Sequence, residues 1–569
     1  MLFAKAKDKQ FWKTVQTSDD YRDFRDELFY LYDAFCKDEI AALKYSEYKI
    51  FFQSGSRKEY ETSYFSRRTR LNTCALLSLI YPEEDTYFDK LQDVIWAILD
   101  EYCWALPAHV HIEDGNDNNF LDLFACETGF ALSEIYYLLQ DRLEDLIKSR
   151  IRAEINRRIV HAYQTRHFFW ETHDNNWAAV CAGSIGVTLM YMRPDLFYGL
   201  KPRLDATIEA FLSSYKSDGA CREGHGYWVY GFGFFVYYAD LLKQFTNGAC
   251  DYFAQPRIKT IATFQQKIFL RGNITVSFAD GAIHGAHMIG LTHYLKKQYP
   301  DDVELLDMRF RDTRLGGGGD SCGRWCHAIR SIVFFEPRYC HMPEKPEATY
   351  YLSDSAWYIK KCSRYCFATK AGDNDEPHNH NDIGSFILAA EDDQILCDLG
   401  AGEYTRQYFD PETRYSFLCN SSLGHSVPII NGCAQKEGKQ YCGTMRREAD
   451  DVVLSIAHAY DVPALSALER RFSLTDDTVT LTDTFCFSTD QNTVTERFIT
   501  KYTPALGEGS VQAGPLCITY DASLWKADVK TDTFTRHAVE QGIIKDTVYC
   551  IDFTARQQPD TFTATIQVN

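Results

Sequence analysis

Two histidines separated by one residue, His378 and His380, lie in the densest polar cluster of the chain, which reads HNHND. Side chains two residues apart on an extended segment project from one face, so the pattern predicts that both rings point the same way. Asp398 and His425 follow downstream. Two imidazoles and a carboxylate suit a divalent ion such as Zn²⁺. A single histidine is more often a satisfied core or surface residue, but this grouping favours a metal site.

Two adjacent asparagines, Asn175 and Asn176, precede an apolar run that starts near Trp177. If that run is a helix, its first backbone N–H groups point outward and favour an anion such as a carboxylate. Asparagine is also a common N-terminal helix cap. Because there are two asparagines, one can cap the helix while the other binds an anion.

Two tyrosines, Tyr227 and Tyr230, stand three residues apart in the glycine-rich stretch DGACREGHGYWVYGFGFF. On a helical turn this spacing places both rings on one face. The chain has 36 tyrosines, so a core position is the ordinary interpretation. The interleaved glycines favour a functional one, because they leave the backbone open to a ligand. His225 is a further candidate in the same stretch.

The segments that carry these residues differ in their hydrophobic period. Residues 1–335 space apolar residues by three and four, which predicts ten to twelve helices without intervening strands. Such a series indicates antiparallel helical hairpins, arranged as a toroid or a solenoid. No fixed sequence repeat is visible, which disfavours a consensus solenoid.

Beyond a proline-rich stretch at 336–350, which we interpret as a linker, the period changes to two. Residues 351–569 are therefore expected to form an antiparallel β-sandwich. A hairpin is expected around the turn at 391–393, with Asp398 on its return strand. The other predicted strands are 450–460, 470–476, 477–487, 546–557 and 561–568.

Composition excludes several classes of protein. The chain has 569 residues, 45% of them hydrophobic, which excludes a disordered, collagenous or coiled-coil protein. The formal net charge of −19 argues against non-specific nucleic-acid binding. The longest mildly apolar run, 178–192, is shorter than a membrane span. We therefore expect neither a nucleic acid nor a membrane as partner.

The N-terminal residues lack the apolar stretch and small-residue cleavage site of a secretory signal. The 19 cysteines are scattered singly, which favours reduced thiols. A cytoplasmic location is the expectation, with a periplasmic or secreted one as the alternative if a leader has been removed. The sequence leaves the oligomeric state open, with a homo-oligomer as one option.

Three motifs together carry a family resemblance: HNHNDIGSF, then LCDLGAGEY, then the R-x₆-S-x₃-H stretch that ends at His425. The chain resembles the heparinase II/III-like polysaccharide lyases over most of its length, most specifically at 371–432. Members of that family have an incomplete N-terminal (α/α) toroid joined to antiparallel β-sheet domains. The resemblance implies the same fold here, with helices first and a β-sandwich after.

Members of this family cleave uronic-acid-containing polysaccharides by β-elimination. The C5 proton of a uronate is only weakly acidic, so the neighbouring carboxylate must be neutralised. A base must remove that proton, and an acid must protonate the departing O4. A tyrosine can do either if its phenol pKa is lowered, and a histidine can supply the other role.

The resemblance implies a role for each candidate residue. Carboxylate neutralisation is implied for Asn175 or Asn176. Proton transfer is implied for Tyr227 or Tyr230 together with His378. The implied metal ligands are His380, Asp398 and His425, with Zn²⁺ as the expected ion and Mn²⁺ or Ca²⁺ as alternatives. The expected substrate contacts are Trp177, Arg222, His225, Arg414 and Tyr415.

Two positions depart from the family pattern. Asn175-Asn176 stands where Asn-His also occurs, and His425-Ser426-Val427 replaces the expected His-Asn-Thr. The second departure leaves the environment of the third metal ligand open.

The expected substrate is an anionic polysaccharide or oligosaccharide, held in a locally basic cleft of an acidic protein. The expected cleft residues are Arg222, His225, His378, Arg406 and Arg414. A glycosaminoglycan of the hyaluronan, chondroitin or heparan type leads, and alginate or another oligouronide is the alternative. A carbohydrate-binding protein with a degenerate site and a metal-dependent hydrolase are the competing classes.

Overall fold

The computed structural model describes residues 2–110, 118–312, 315, 322–340, 347–376, 378–538 and 542–569. The chain forms two compact units. The first comprises Met1–Tyr215, Tyr227–Ala262 and Ala286–Met342. The second comprises Lys216–Gly226, Thr263–Gly285 and Pro343–Asn569.

The first unit is helical, as predicted. Its longer helices are Lys9–Thr17, Arg22–Phe35, Lys58–Ile80, Asp85–Leu99, Leu123–Leu139, Asp145–Ile155, Asn176–Met192, Pro194–Ser213, Gly233–Phe245, Ile289–Gln298 and Trp325–Val333. Its shorter helices are Ala4–Lys7, Tyr45–Tyr48, Ile50–Ser54, Ala162–Thr165 and Pro256–Ala262. Two π-helical segments, Asn156–His161 and Trp228–Phe232, interrupt the regular helices.

The helix Asn176–Met192 lies at the centre of this unit. It is apolar on all sides and buried along nearly its whole length, as expected for a helix enclosed by other helices. It packs against Leu123–Leu139, Pro194–Ser213 and Gly233–Phe245. Its start is fixed by Asn175, whose side chain accepts a hydrogen bond from the backbone N–H of Trp177 at 3.1 Å.

A buried ion pair joins distant helices of the first unit. The Arg330 guanidinium donates to both carboxylate oxygens of Glu134 at 3.0 Å, and neither side chain is exposed to solvent. Trp325 Nε1 and the Tyr191 hydroxyl donate to the same carboxylate, each at 2.9 Å. The buried charges are thus both paired and hydrogen-bonded, which is the condition under which a protein interior tolerates them.

The second unit is built from antiparallel sheets. A five-stranded sheet has the order Ala348–Leu352, Trp357–Lys361, Tyr365–Lys370, Phe386–Ala390, Asp393–Leu396. A four-stranded sheet has the order Trp525–Ala538, Gly542–Ala555, Val494–Thr500, Ile429–Ile430. A nine-stranded sheet has the order Ala505–Gly507, Ser510–Ala513, Leu516–Tyr520, Thr561–Val568, Thr478–Phe487, Leu465–Leu474, Asp451–Ser455, Gly438–Glu448, Gly372–Asn374.

Phenylalanines from these sheets meet in one hydrophobic core. Phe472 lies with its ring centroid 4.9 Å from that of Phe367 and 5.2 Å from that of Phe386. Phe386 in turn contacts Phe498 at 5.3 Å. Burial alternates along strands such as Thr561–Val568, which confirms the period of two predicted from the sequence.

The expectation that residues 1–335 form one helical domain is wrong for two segments. Residues 216–226 and 263–285 belong to the second unit, and the latter includes the strands Phe269–Arg271 and Ile274–Thr275. Every residue of the strand Tyr365–Lys370 is buried. Segment 263–285 covers part of this strand, since the Cys366 thiol donates to the Leu270 carbonyl at 3.2 Å. A strand buried on both faces needs such a layer over it.

The unit boundary falls between residues 342 and 343, inside the predicted linker 336–350. Residues 341–346 of that linker lie outside the described residues. Its ends are structured, since Pro337–Tyr339 forms a 3₁₀ turn and Ala348 begins a strand. Among the described residues, no helix combines the length and apolar character that crossing a membrane requires.

We predict that Glu134→Ala lowers the free energy of unfolding by about 3–5 kcal/mol, because it leaves the Arg330 charge buried and unpaired. Glu209→Ala is the control. It removes a pair with Arg257 in which the side chains are 57% and 38% exposed, so a loss of only about 0–1 kcal/mol is expected. Urea unfolding followed by circular dichroism measures both; equal losses would contradict the prediction.

Candidate functional site

A single carboxylate, that of Asp280, collects four hydrogen bonds in the second unit. His378 Nδ1 lies 2.5 Å and the Tyr404 hydroxyl 2.9 Å from its Oδ2. His380 Nε2 lies 3.0 Å and the Tyr408 hydroxyl 2.5 Å from its Oδ1. The carboxylate has no exposed surface. Burial alone would raise its pKa, but the hydrogen bonds and charges of the two histidines hold that pKa well below the usual range.

His378 does not lie on an extended segment, so the prediction that both histidines project from one strand face is wrong. Its φ is 56°, in the left-handed region, and the residue forms a turn. Its Nε2 lies 3.6 Å from Glu223 Oε2, so both ring nitrogens face carboxylates. Burial opposes protonation, but the hydrogen bond and charge of Asp280 outweigh it and raise the pKa of His378.

A second buried cluster contains two of the predicted metal ligands. His425 Nδ1 and Asp398 Oδ2 are 3.1 Å apart. The third member, Asp382, was not among the predicted ligands; one donor atom of each of the three lies within 4.8 Å of the others. Asp398 lies just beyond the return strand Asp393–Leu396 rather than on it, so loops, not strands, present this cluster.

Hydrogen bonds fix which atoms of this cluster are available to a ligand. His425 Nε2 lies 2.7 Å from the Cys419 carbonyl oxygen, which can only accept, so Nε2 carries the proton. In the neutral ring, Nδ1 then presents a lone pair to the Asp398 carboxylate. His380 likewise uses Nε2 toward Asp280, and its ring centroid lies 5.4 Å from that of His425.

Six buried side-chain atoms of this region form no hydrogen bond, and Asn379 Oδ1 and Asn420 Nδ2 are two of them. The other four are His380 Nδ1, Asp382 Oδ2, Asp398 Oδ2 and His425 Nδ1, of which the last two face each other at 3.1 Å. Buried polar atoms are almost always hydrogen-bonded, so these four require an explanation. The donor atoms of Asp382, Asp398 and His425 lie close enough together to fit a divalent cation, and this group includes two of the three residues predicted as ligands. The third, His380, has its ring centroid 5.4 Å from that of His425.

The turns that follow Asp280 and Asp398 touch through their backbones. The N–H of Ala401 donates to the Gly281 carbonyl at 3.3 Å. Gly400, which has a φ of 66°, faces the same carbonyl so closely that a β-carbon there would lie 1.9 Å from the oxygen. Only glycine fits this position. The contact holds the turn after Asp280 against the turn after Asp398.

The departure from His-Asn-Thr places a serine in a fully bonded position. The Ser426 hydroxyl accepts from the Ile499 N–H at 3.1 Å, and the Ser426 carbonyl accepts from Arg470 Nη1 at 2.8 Å. Arg470 is itself buried and paired with Asp483 and Glu496. The loop that carries His425 is therefore held by the sandwich core.

In the first unit, Tyr230 lies in the π-helical segment Trp228–Phe232. Its hydroxyl donates to Glu127 Oε1 at 2.5 Å. The Arg324 guanidinium is paired with the same carboxylate and lies over the tyrosine ring, 3.8 Å from its centroid. Burial raises the phenol pKa well above its usual value; Arg324 opposes that rise and Glu127 adds to it. The lowered phenol pKa that proton abstraction would require is not found at Tyr230.

Tyr227 is half-buried and ends the short helix His225–Tyr227. A π-helical segment begins directly after it, so the regular three-residue spacing assumed for the two tyrosines does not apply between them. His225 is buried in the second unit, with its ring edge-on to Phe269 at 4.9 Å.

The asparagine pair lies at a helix start, as expected. Asn175 is the cap, and Asn176 is the first helical residue, buried beside Gly231. Trp177 contacts the Phe169 ring at 5.2 Å, and Phe169 is 49% exposed. An exposed aromatic surface therefore adjoins the asparagines.

The predicted basic side chains are mostly engaged. Arg222 pairs with Glu376 at 2.8 Å. Arg414 is buried and donates to the carbonyls of Asn379 and Tyr408 at 3.0 and 3.1 Å. These bonds hold a loop rather than leave the guanidinium open to a ligand. Arg406 is exposed at the start of the helix Arg406–Phe409.

Tyr415 stands next in sequence to Arg414 and is half-buried. Its hydroxyl accepts from the Asn379 side chain at 3.4 Å. It therefore belongs to the same hydrogen-bonded loop.

Four important residues were missed by reasoning from the sequence: Glu127, Asp280, Arg324 and Asp382. Asp382 ends the HNHND motif and could have been included by extending the ligand search two residues beyond His380. Glu127 and Arg324 lie far apart along the chain, and Asp280 sits in the unremarkable stretch SFADGAI, so these three carried no local signal.

No protein-family model and no curated protein sequence matches the chain. Solved structures do match. Heparan sulfate lyase HepC from Pedobacter heparinus is 11% identical with a TM-score of 0.58, over 96% of this chain and 88% of that one. A heparinase III is 10% identical with a TM-score of 0.60, over 96% and 84%.

A chondroitin AC lyase of Streptomyces coelicolor A3, solved in complex with chondroitin sulphate, is 9% identical with a TM-score of 0.54. That match covers 98% of this chain and 82% of the lyase. At such identities the likeness establishes the fold. The predicted fold class, and the resemblance to heparinase-type lyases at the level of fold, are confirmed.

We predict that Gly400→Ala destabilises the protein by about 2–5 kcal/mol, since it adds left-handed backbone strain to overpacking against Gly281. Gly432→Ala is the matched control, because Gly432 also has a left-handed φ, 76°, but nothing lies within 4 Å of its added carbon. That control should lose only about 1–2 kcal/mol. Thermal unfolding compares them, and an equal drop in Tm would argue against the close contact.

Proposed function

We propose that the protein is a polysaccharide lyase that cleaves uronic-acid-containing glycosaminoglycan chains or oligosaccharides by β-elimination, giving 4,5-unsaturated products. The observation that carries the proposal is the Tyr230 hydroxyl, held by Glu127 beneath the Arg324 guanidinium in a π-helical turn. Such turns are frequent at functional sites. The likeness of fold to heparan sulfate and chondroitin lyases supports the same activity class.

Tyr230 is best suited to the acid step. Its raised phenol pKa keeps the hydroxyl protonated at neutral pH, so it can donate a proton to the departing O4. Arg324 over the ring stabilises the phenolate that forms. The single hydroxyl proton lies on the hydrogen bond to Glu127, so protonation of O4 requires the hydroxyl to exchange that bond for one to the substrate oxygen.

The remaining roles follow from charge. His378 has a raised pKa and both nitrogens near carboxylates, which favours an imidazolium that offsets substrate charge rather than a neutral base. Tyr227 is then the candidate for removing the C5 proton. Asn176, buried at a helix N-terminus, is the candidate for polarising the uronate carboxylate, since Asn175 already caps the helix.

The aromatic surface of Phe169 and Trp177 supports a sugar substrate. The two rings lie beside the asparagine pair, and Phe169 is half exposed. Aromatic rings offer large, rigid contact area to the apolar face of a pyranose at low entropic cost. Asn176 would thus bind the uronate carboxylate, and the neighbouring Phe169 and Trp177 rings would bind the apolar face of the sugar.

A divalent ion, Zn²⁺ by preference, is part of the proposal. The four orphaned donor atoms of His380, Asp382, Asp398 and His425 would hold it. Its role would be structural, because these atoms are buried and their loops are pinned by Arg470 and Gly400. Mn²⁺ and Ca²⁺ are the alternatives, with the two imidazoles favouring zinc.

We predict that Tyr230→Phe and Tyr227→Phe each lower kcat by about 10²–10⁴-fold while the protein stays folded, because only the hydroxyl is lost. Tyr238→Phe is the matched control, since the Tyr238 hydroxyl is buried without a hydrogen-bond partner. Initial rates of double-bond formation measure the effect. Near-normal turnover in both variants would refute the assignment.

A substrate panel tests the finer proposal. Hyaluronan, chondroitin, heparan sulfate, heparin and alginate are incubated with the enzyme, and ultraviolet absorbance reports the unsaturated product. Signal on a glycosaminoglycan supports the proposal, whereas signal on alginate alone favours the alternative substrate. Cleavage without absorbance would indicate a hydrolase, and binding without cleavage a degenerate site.

We predict that the purified protein holds one tightly bound divalent ion and that chelation lowers its stability. At free metal 100-fold above Kd, the bound ion contributes about 2.7 kcal/mol. His425→Ala should remove both the ion and this stabilisation, while His284→Ala, a half-exposed control paired with Asp393, should remove neither. Elemental analysis and thermal unfolding test this; a protein without metal and unaffected by chelator would exclude the ion.

A further inference from the structure

We propose that Asp280 is a positioning residue that couples the orientation of His378 to that of the metal ligand His380. The inference rests on the proposed function, since it assumes that His378 acts on substrate. Asp280 lies in the segment 263–285, about a hundred residues before the histidines it contacts. It was not among the residues selected from the sequence.

The carboxylate divides its hydrogen bonds evenly. Oδ2 takes His378 Nδ1 at 2.5 Å and the Tyr404 hydroxyl at 2.9 Å. Oδ1 takes His380 Nε2 at 3.0 Å and the Tyr408 hydroxyl at 2.5 Å. Each oxygen therefore accepts from one histidine and one tyrosine, so the planar Asp280 carboxylate links the His378 ring to the His380 ring.

This arrangement fixes the proton positions on both rings. An ionised carboxylate only accepts hydrogen bonds, so His378 must present Nδ1–H and His380 must present Nε2–H to it. The opposite atoms are thereby defined. His380 Nδ1 carries the lone pair for the metal, and His378 Nε2 points away from Asp280, toward Glu223. An orienting carboxylate behind a catalytic or metal-bound imidazole works in this way.

The backbone is strained on both sides of the hydrogen bond between Asp280 and His378. His378 has a φ of 56° and Ala279, which precedes Asp280, also has a φ of 56°. Such conformations are unfavourable for residues with a β-carbon and persist only where surrounding contacts hold them. The hydrogen bonds to Asp280, together with the contact of Gly281 with Gly400, supply those contacts.

Asp280→Asn tests the inference. The amide keeps the shape but has one acceptor oxygen and one donor nitrogen, so it cannot accept from both histidines. We expect kcat to fall about 10²-fold, as for a small misplacement of a catalytic group, with little change in KM. Zn²⁺ affinity, measured by competition with a chromophoric chelator, should fall about 10–100-fold.

Asp552→Asn is the matched control for loss of a buried carboxylate in the same unit. Asp552 is nearly fully buried and pairs with Arg497 at 2.7 and 2.8 Å. It should lower Tm while kcat and Zn²⁺ affinity stay near wild type. If Asp280→Asn fails to fold, Tyr404→Phe and Tyr408→Phe each remove one donor from Asp280 and should lower kcat in smaller steps.

The outcomes separate this inference from the proposed function. Unchanged kcat and Zn²⁺ affinity in Asp280→Asn would overturn it, as would equal losses in Asp552→Asn. If the wild type cleaves no polyuronate, the proposed function fails. The positioning role is then decided by ¹⁵N shifts of the labelled histidines, which report the protonation of His378 and the tautomer of His380: altered shifts in Asp280→Asn support it, and unaltered shifts overturn it.

Discussion

The buried carboxylate of Asp280 is the interaction on which the second unit's polar centre depends. A carboxylate without solvent is costly unless donors surround it, and here two histidines and two tyrosines do so. Because those donors come from two separate segments of the chain, satisfying one charge brings the segments together. The same bonds leave His378 Nε2 and His380 Nδ1 facing away from the carboxylate.

Unlike the Asp280 carboxylate, the donor atoms of the neighbouring cluster lack hydrogen bonds. His425 Nδ1 and Asp398 Oδ2 face each other at 3.1 Å with no hydrogen between them if the ring is neutral. The buried Lys370 ammonium donates to the other oxygen of Asp382 at 2.7 Å, but the orphaned atoms form no hydrogen bond. A cation is the simplest agent that would satisfy them together, which is why the donor set supports the proposed metal.

In the helical unit, the hydrogen bond to Glu127 holds the Tyr230 hydroxyl, and the raised phenol pKa keeps that hydroxyl protonated. Burial and Glu127 raise the phenol pKa, and Arg324 provides the charge that a phenolate would need. Tyr230 lies within the π-helical segment Trp228–Phe232. In both units, buried neighbours rather than solvent set the protonation state of a polar group: Tyr230 in the first and Asp280 in the second.

The sequence by itself determined the division into helices and strands, because hydrophobic period is a local property that changes from about 3.6 to two along the chain. It also located HNHND, Asp398 and His425, whose residue types cluster within one stretch. Tertiary structure alone decided the rest. Asp280 is one of 79 acidic residues, and nothing near it in sequence marks it. Its role, like the capture of segment 263–285 by the β-unit and the engagement of Arg414 with carbonyls, arises from through-space contacts between distant segments, which periodicity and spacing do not encode.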